Sequence, residues 1–430
     1  MTPALLIRNG LVIDPAQKIE AVKDVLVEDG KIAAVQYGLS KKNALRGIPS
    51  LNAKGRWVVP GLIDMHVHLR EPGGEEAETI ATGAAAAARG GFATVLAMPN
   101  TRPVVDAPDL LQDLRARARD AAVNVLFAAA VTAGQQGRRL SRLEALQRAG
   151  AAAFSDDGRP VADAGLMREA LRLSHELGAL VIDHCEDPGL MGTACETVMA
   201  ARDMALAEET GGRLHVAHAS AAGTVEALRQ AKARTASVTG EAAPHHWTLC
   251  ESDIPGRAVG RQRLPRGRPG RSGSALDRDA NFKMNPPLRS PDDRDALRRG
   301  LADGAIDAIA SDHAPHSRRM KALGFDRAPF GVIGLETSLG LALTELLGSV
   351  LSRLALVERM SSAPARILGL RSKGGLAVGM DADVTVIDPD AAWTVRPPFA
   401  SKSSNSPFVG MRLRGRAAAT VVGGRIVHAL

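Results

Sequence analysis

The sequence predicts an α/β fold, a (β/α)8 TIM-like barrel carrying a small β-sandwich domain built from both chain termini. Two observations carry this. Eight short apolar runs alternate with helical patterns through the middle of the chain, and both ends instead read as strands and tight turns. A third supports it: polar residues cluster where the apolar runs end, the carboxyl ends of barrel strands, where such folds keep their active sites.

At the amino end, residues 4–36 show short apolar stretches broken by Asn-Gly, Asp-Pro and Asp-Gly, the punctuation of hairpins. Residues 376–429 repeat the style, so the expected division is 1–57 and 371–430 for the β-sandwich domain and 58–370 for the barrel. Strand candidates fall at 58–68, 92–99, 123–131, 151–157, 179–185, 213–219, 236–242 and 306–313. Between most of them lie Ala-, Leu-, Arg- and Glu-rich patterns such as ADAGLMREALRLSHEL, whose apolar residues recur at spacings of three and four. Residues 333–369 read as helical, packed outside the barrel.

Composition narrows the function classes. The chain has 430 residues, 45% apolar and 23% charged, and no apolar run long enough to span a membrane. Its first ten residues show no basic patch followed by an apolar core, so a cytoplasmic location is expected. Cys185, Cys195 and Cys250 form no CxxC, so a metal is expected on nitrogen and oxygen ligands. Lys and Arg number 54 against 47 Asp and Glu, a net charge of +7. Six of those charges come from Arg257, Arg261, Arg263, Arg266, Arg268 and Arg271, in a Gly-, Pro- and Ser-rich stretch that reads as a solvated or disordered insert. It holds no aromatic residue to stack on bases, so nucleic acid is not expected as a partner, nor is a membrane.

The strand ends supply the chemistry. The first closes on Asp64-Met65-His66-Val67-His68, the fourth on Asp156-Asp157, the fifth on His184, the sixth on His215 and His218, the eighth on Asp312-His313. Residues i and i+2 of a strand share a side, so His66 and His68 can reach one ion. Taken singly, His66 and His68 read as two exposed or hydrogen-bonded histidines and His184 as a satisfied core histidine; their joint position at one end of four strands points to metal. Imidazole with carboxylate suits zinc, and four histidines with two aspartates exceed one tetrahedral shell, favouring two ions that share a carboxylate.

The set DMHVHLREPG (64–73), AMPNT (97–101), AFSDDG (153–158), DHCE (183–186), HVAHAS (215–220), PHH (244–246), NPPLR (285–289), SDHAPH (311–316), APFGVIGLET (328–337) and SKSSNSPFVG (401–410) resembles dihydroorotases. The likeness is to the bacterial long-chain type of the amidohydrolase superfamily, it covers nearly the whole chain, and the motifs stand in family order. It implies a metal-dependent hydrolase holding two Zn2+ ions per subunit. By resemblance, His66 and His68 bind the first metal with Asp312, His184 and His218 bind the second, and Asp157 bridges them. Asp312 would be the catalytic base, taking a proton from the attacking water and delivering it to the departing amide nitrogen. Arg70, Asn100 and His316 match the positions that hold the substrate carboxylate; Asn285 and Gly331 match those that meet the ring amides, with Phe330 beside them among the substrate contacts. Asp156, His215, His245 and His246 would be supporting neighbours. The implied reaction is reversible closure of N-carbamoyl-L-aspartate to L-dihydroorotate, the third step of pyrimidine synthesis. A homodimer, docked with aspartate carbamoyltransferase, is the implied assembly.

Two other readings compete. Related cyclic amidases, hydantoinase and allantoinase, bridge their metals with a carboxylated lysine from the fourth strand, and no lysine occurs between Lys54 and Lys232. Catalytically silent relatives serve as structural partners of the carbamoyltransferase and lack metal ligands, whereas all six stand here. The sequence departs from the family at two connections. The segment after DHCE lacks about twenty residues that the family usually carries before its next helix, and the arginine-rich stretch 256–279 is inserted between PHH and NPPLR.

Overall fold

A computed structural model describes residues 4–235, 237–256 and 278–430. The arginine-rich insert falls almost wholly outside the described residues. Sixteen strands are described: β1 Leu5–Asp14, β2 Ile19–Glu28, β3 Lys31–Gln36, β4 Ser50–Asn52, β5 Trp57–Pro60, β6 Leu62–Val67, β7 Phe92–Ala97, β8 Asn124–Ala129, β9 Ala153–Ser155, β10 Leu180–Asp183, β11 Arg213–Val216, β12 Val238–Ala242, β13 Ala308–Ile309, β14 Val384–Thr394, β15 Arg412–Val422 and β16 Arg425–Ala429.

Strands β6 to β13 form one eight-stranded sheet in sequence order. Their pairings are parallel. The sheet closes where Val67 bridges His313 in parallel and His68 N–H donates to the His313 carbonyl at 2.8 Å. A helix follows each strand: Ile80–Gly90, Pro108–Arg117, Leu143–Ala149, Ala164–Leu177, Ala194–Thr210, Ala222–Arg234, Pro291–Asp303 and Leu335–Glu345. Local chemistry sets their ends. Asp163 accepts from Leu166 N–H at 2.7 Å at one start, and Ser290 and Asp293 make a capping box at another, each helix ending on a left-handed glycine, Gly178 or Gly304. Fully buried β-branched, aliphatic and aromatic residues fill the strands, as parallel strands covered on both faces require.

The two termini meet in a second eight-stranded sheet, ordered β16-β15-β14-β5-β1-β2-β3 with β4 on β1. Its own cluster includes Ile7, Val12, Val58, Val384 and Val421.

The expected first barrel strand, 58–68, is two strands in the structure. Trp57–Pro60 pairs antiparallel with β14 and parallel with β1, so this stretch belongs to the terminal sheet, past the expected boundary at residue 57. Gly61 is the crossing point, because a Cβ there would lie 2.5 Å from the Ala93 Cβ and 3.0 Å from that of Asp383. The eighth strand shrinks to Ala308–Ile309, leaving Asp312 and His313 on the loop beyond it. Residues 333–369 are mostly helical, with Arg353–Val357, Glu358–Ser362 and Ala363–Ile367 after the eighth barrel helix. No helix among the described residues is long and apolar enough to cross a membrane.

Candidate active site

Asp157 is the hub. It follows β9, is 4% exposed, and its carboxylate lies 3.2 Å from His66 Nε2, 3.5 Å from His68 Nε2, 3.7 Å from His184 Nδ1 and 3.5 Å from His218 Nε2. Asp312 stands opposite, its Oδ1 3.3 Å from His68 Nε2 and 3.8 Å from His66 Nε2. The i, i+2 spacing at the end of β6 therefore aims both imidazoles at the same pair of carboxylates.

Two groups of donor atoms lie close enough to hold an ion: His66, His68 and Asp157, and Asp157, His184 and His218, each set within 4.8 Å and fully buried. Asp157 belongs to both. His66 Nε2 and Asp157 Oδ1 are buried without a hydrogen-bond partner, an arrangement costly to leave unfilled. These residues fit a metal site. A third group, Asp183, Cys185 and Asp203, lies behind His184, where burial and then the Asp183 charge push the Cys185 thiol up, keeping it protonated.

Backbone strain gathers here too. His218 (φ 30°), Asp312 (φ 46°) and Arg70 (φ 61°) are left-handed non-glycine residues, a conformation that costs on the order of 1–3 kcal/mol each and persists where the surroundings dictate it.

Hydrogen bonds from behind orient the imidazoles. Glu241, on β12, sits between His66 Nδ1 at 2.8 Å and His215 Nε2 at 3.2 Å. Burial pushes Glu241 up, but the hydrogen bonds from His215 and His66 win and bring it down to about 2. His184 Nε2 lies 2.9 Å from Glu186, which also accepts from Asn285 Nδ2 at 2.9 Å. Burial lowers His184, but its hydrogen bonds to Asp157 and Glu186 raise it to about 10. Asp312 is raised by burial yet held well below the usual carboxylate range by the His68 hydrogen bond and the charges on His66 and His218.

The expected substrate contacts surround this centre. Arg70 Nε donates to the Pro315 carbonyl at 3.1 Å, and its Nη2 lies 3.4 Å from His316 Nε2. That nitrogen is 2.7 Å from the Phe330 carbonyl, and burial followed by the Arg70 charge lowers His316 to about 3, so its ring is neutral. Asn100 is engaged with the hub, since its Oδ1 lies 2.9 Å from His68 Nδ1 and its Nδ2 donates to Asp157 Oδ2 at 3.2 Å. Gly331 N–H donates to the Lys283 carbonyl at 2.9 Å, leaving the Gly331 carbonyl, which accepts from Asn405 at 3.0 Å, as the face with a spare lone pair. Phe330 is 54% exposed.

The supporting residues divide. His215 braces Glu241, whereas Asp156 turns away to accept from Thr132 N–H at 3.0 Å and ties the loops after β8 and β9 together. His245 Nε2 lies 3.8 Å from Asp312, and His246 Nε2 lies 2.8 Å from the Pro286 carbonyl. Glu241 and Glu186 were missed by the sequence reading. The strand-end rule applied to ASVTGEA would have found the first, and the DHCE motif contains the second.

Residues 55–194 match the family model described as Dihydro-orotase-like, and residues 161–428 that of the Amidohydrolase family. The chain is 49% identical over 445 residues to a dihydroorotase of Pelotomaculum thermopropionicum, covering 98% of each. It is 44% identical over 449 residues to that of Anaeromyxobacter sp. (strain K), covering 100% of this chain and 98% of the relative. Among solved structures, the L-hydantoinase (dihydropyrimidinase) of Arthrobacter aurescens matches with a TM-score of 0.85 at 26% identity, covering 100% of this chain and 96% of its own. A D-hydantoinase with a TM-score of 0.84 at 23% identity, covering 99% and 95%, shares the fold. With that kinship along its full length and a buried His/Asp cluster at the barrel mouth, the chain belongs to the dihydroorotase family of amidohydrolases.

Proposed function

We propose that the chain catalyses the reversible cyclisation of N-carbamoyl-L-aspartate to L-dihydroorotate, breaking the same cyclic amide C–N bond in the hydrolytic direction. The observation that carries this reading is the sharing of Asp157 by two histidine pairs with the Asp312 carboxylate beside them. His66, His68 and Asp312 would hold one zinc ion, His184 and His218 a second, with Asp157 between. When bound, the ions would supply a nucleophile from water near neutral pH and polarise the ring carbonyl.

The chain's own residues do the rest. Asp312 takes the proton of the attacking water and passes it to the departing amide nitrogen, and in the closing direction the transfer runs backward. Arg70 presents guanidinium N–H groups not used on Pro315 to the substrate carboxylate, a charge-assisted contact. Neutral His316 adds a polar contact beside it without competing for the negative charge. Asn285 and the Gly331 carbonyl face the ring amides, and Asn100 keeps His68 and Asp157 in register. Asp157 stands where the lysine-bridged cyclic amidases place their bridge, which favours dihydroorotate over hydantoins. A homodimer that docks aspartate carbamoyltransferase is the assembly consistent with the family.

The test is dihydroorotate hydrolysis by the purified chain with added zinc, against a chelator-treated control. Zinc-dependent turnover is expected; no turnover at any zinc concentration would overturn the enzymatic reading.

A further inference from the structure

A cavity of about 540 Å³ lies away from the metal cluster, where the helix Ile80–Gly90 and the helix Leu335–Glu345 meet β14 and β15 of the terminal sheet. Its walls carry Arg89, Arg396 and Arg416, the aromatic rings of Trp393 and Phe399, and one acid, Glu336. We propose that this cavity binds a mononucleotide, its phosphate held by Arg396 and Arg416 and its base laid against Trp393.

Charge is the first argument. Glu336 is already engaged: it accepts from the N–H groups of Ala400 and Ser401 at 2.9 and 3.1 Å, and its other oxygen lies 3.1 Å from Arg89 Nη1. That pairing offsets only part of the Arg89 charge. Among the described residues neither Arg396 nor Arg416 has a carboxylate within 4 Å, although the Asp388 charge reaches Arg416 from farther off. The surplus is felt locally, since burial first and then the Arg89 charge lower both Arg416 and His428. Like charges gathered in a concave site without their own counter-ions are balanced by an anion from solution. Guanidinium forks suit phosphate oxygens two at a time.

Shape and aromatic character narrow the class. The volume falls in the range of small-ligand sites, roughly 300–1,000 Å³, and is too large for phosphate alone. Trp393 is held in place, its Nε1–H donating to the Gly415 carbonyl at 2.9 Å, while Gly340 leaves room for the indole: a Cβ there would lie 3.0 Å from its ring. The Arg416 guanidinium lies over the same ring, 5.8 Å from its centroid, so the indole and the arginines that lack a carboxylate partner form one flat, positively charged surface for a planar anionic ligand.

The test uses the full chain and tryptophan fluorescence. Trp57 and Trp247 are buried, so Trp393 is the indole open to quenching by an added base. Adenosine 5′-monophosphate, adenosine and inorganic phosphate are titrated separately. Saturable quenching by the monophosphate is expected, with adenosine and phosphate each at least about tenfold weaker. The double variant Arg396→Ala/Arg416→Ala should weaken the monophosphate at least about tenfold while dihydroorotate hydrolysis and the melting temperature stay unchanged. Calorimetric titration of the unaltered chain gives the affinity without relying on either variant or fluorophore. Absence of saturation with the monophosphate, equal affinity for phosphate alone, or equal affinity in a folded double variant would each overturn the proposal. These readouts are binding signals, so they stand whether or not the chain turns over dihydroorotate.

Discussion

At Asp157 four imidazole nitrogens come within 3.7 Å of one buried carboxylate, and nothing in ordinary core packing calls for such a density of polar atoms. The same reasoning assigns distinct jobs to the acids around it. Asp312 faces the imidazoles of His66 and His68, so Asp312→Asn, which keeps size and removes the proton acceptor, should lower kcat by about 10²–10⁴-fold with an unchanged circular dichroism spectrum. Retained turnover would remove Asp312 as the base. Glu241 lies behind the imidazoles of His66 and His215 and also accepts from the His218 backbone N–H at 3.4 Å, so it acts through the metal-binding histidines. Glu241→Gln should weaken metal retention by about 10–100-fold, read as metal content after equilibrium dialysis. A variant that keeps its metal as the parent does would show that His66 is oriented by packing alone.

At the scale of elements, strand ends were legible because barrel geometry puts one end of every strand at the same mouth, so His66, His68, Asp157, His184, His218 and Asp312 could be collected before any contact was known. The same periodicity could not separate β5 from β6, since VVPGLIDMHV reads as one near-continuous apolar run up to Asp64 and both strands are fully buried; only pairing partners assign them. Tertiary ties between loops were equally invisible. Lys321, 8% exposed, donates to the carbonyls of Ala280, Lys283 and Pro329 at 2.9–3.1 Å, joining the segments that carry Asn285 and Gly331. Three acceptors distant in sequence leave no pattern to read. Burial, and next the Lys283 charge, lower Lys321 to about 7 against 10.5 for a free lysine. The unfolded chain therefore binds the extra proton between those values, so the cost of burying this charge, full below pH 7, is relieved as pH rises across that window. Lys321→Met should melt lower than the parent at pH 9 and raise KM for dihydroorotate, and the difference in melting temperature should widen from pH 7 to pH 9.5. A gap that narrows with rising pH would contradict the assignment.

For the whole molecule, closure of the barrel between Val67 and His313 brings ligands from the ends of five strands, separated by up to 246 residues of chain, into one buried cluster. That separation couples metal to folding. In the unfolded chain the ligands are scattered, so ions bind the folded form and stabilise it by mass action, about 4 kcal/mol per ion at a thousandfold excess over the dissociation constant and about 8 kcal/mol for two. For a chain of 430 residues, binding both ions corresponds to a rise in melting temperature of roughly 9 °C. The terminal sheet has no part in the cluster and should gain nothing directly. Removing metal with a chelator should therefore lower the melting temperature by that amount and abolish hydrolysis, and zinc should restore both together. His184→Ala deletes one ligand whose ring is also braced by Glu186, so it should reduce the zinc-induced rise without lowering the metal-free melting point by as much as a core truncation of about 2–5 kcal/mol would. If the chelated chain melts where the zinc-loaded chain does, the cluster at the barrel mouth holds no ion that matters to the fold, and the two-ion assignment falls with it.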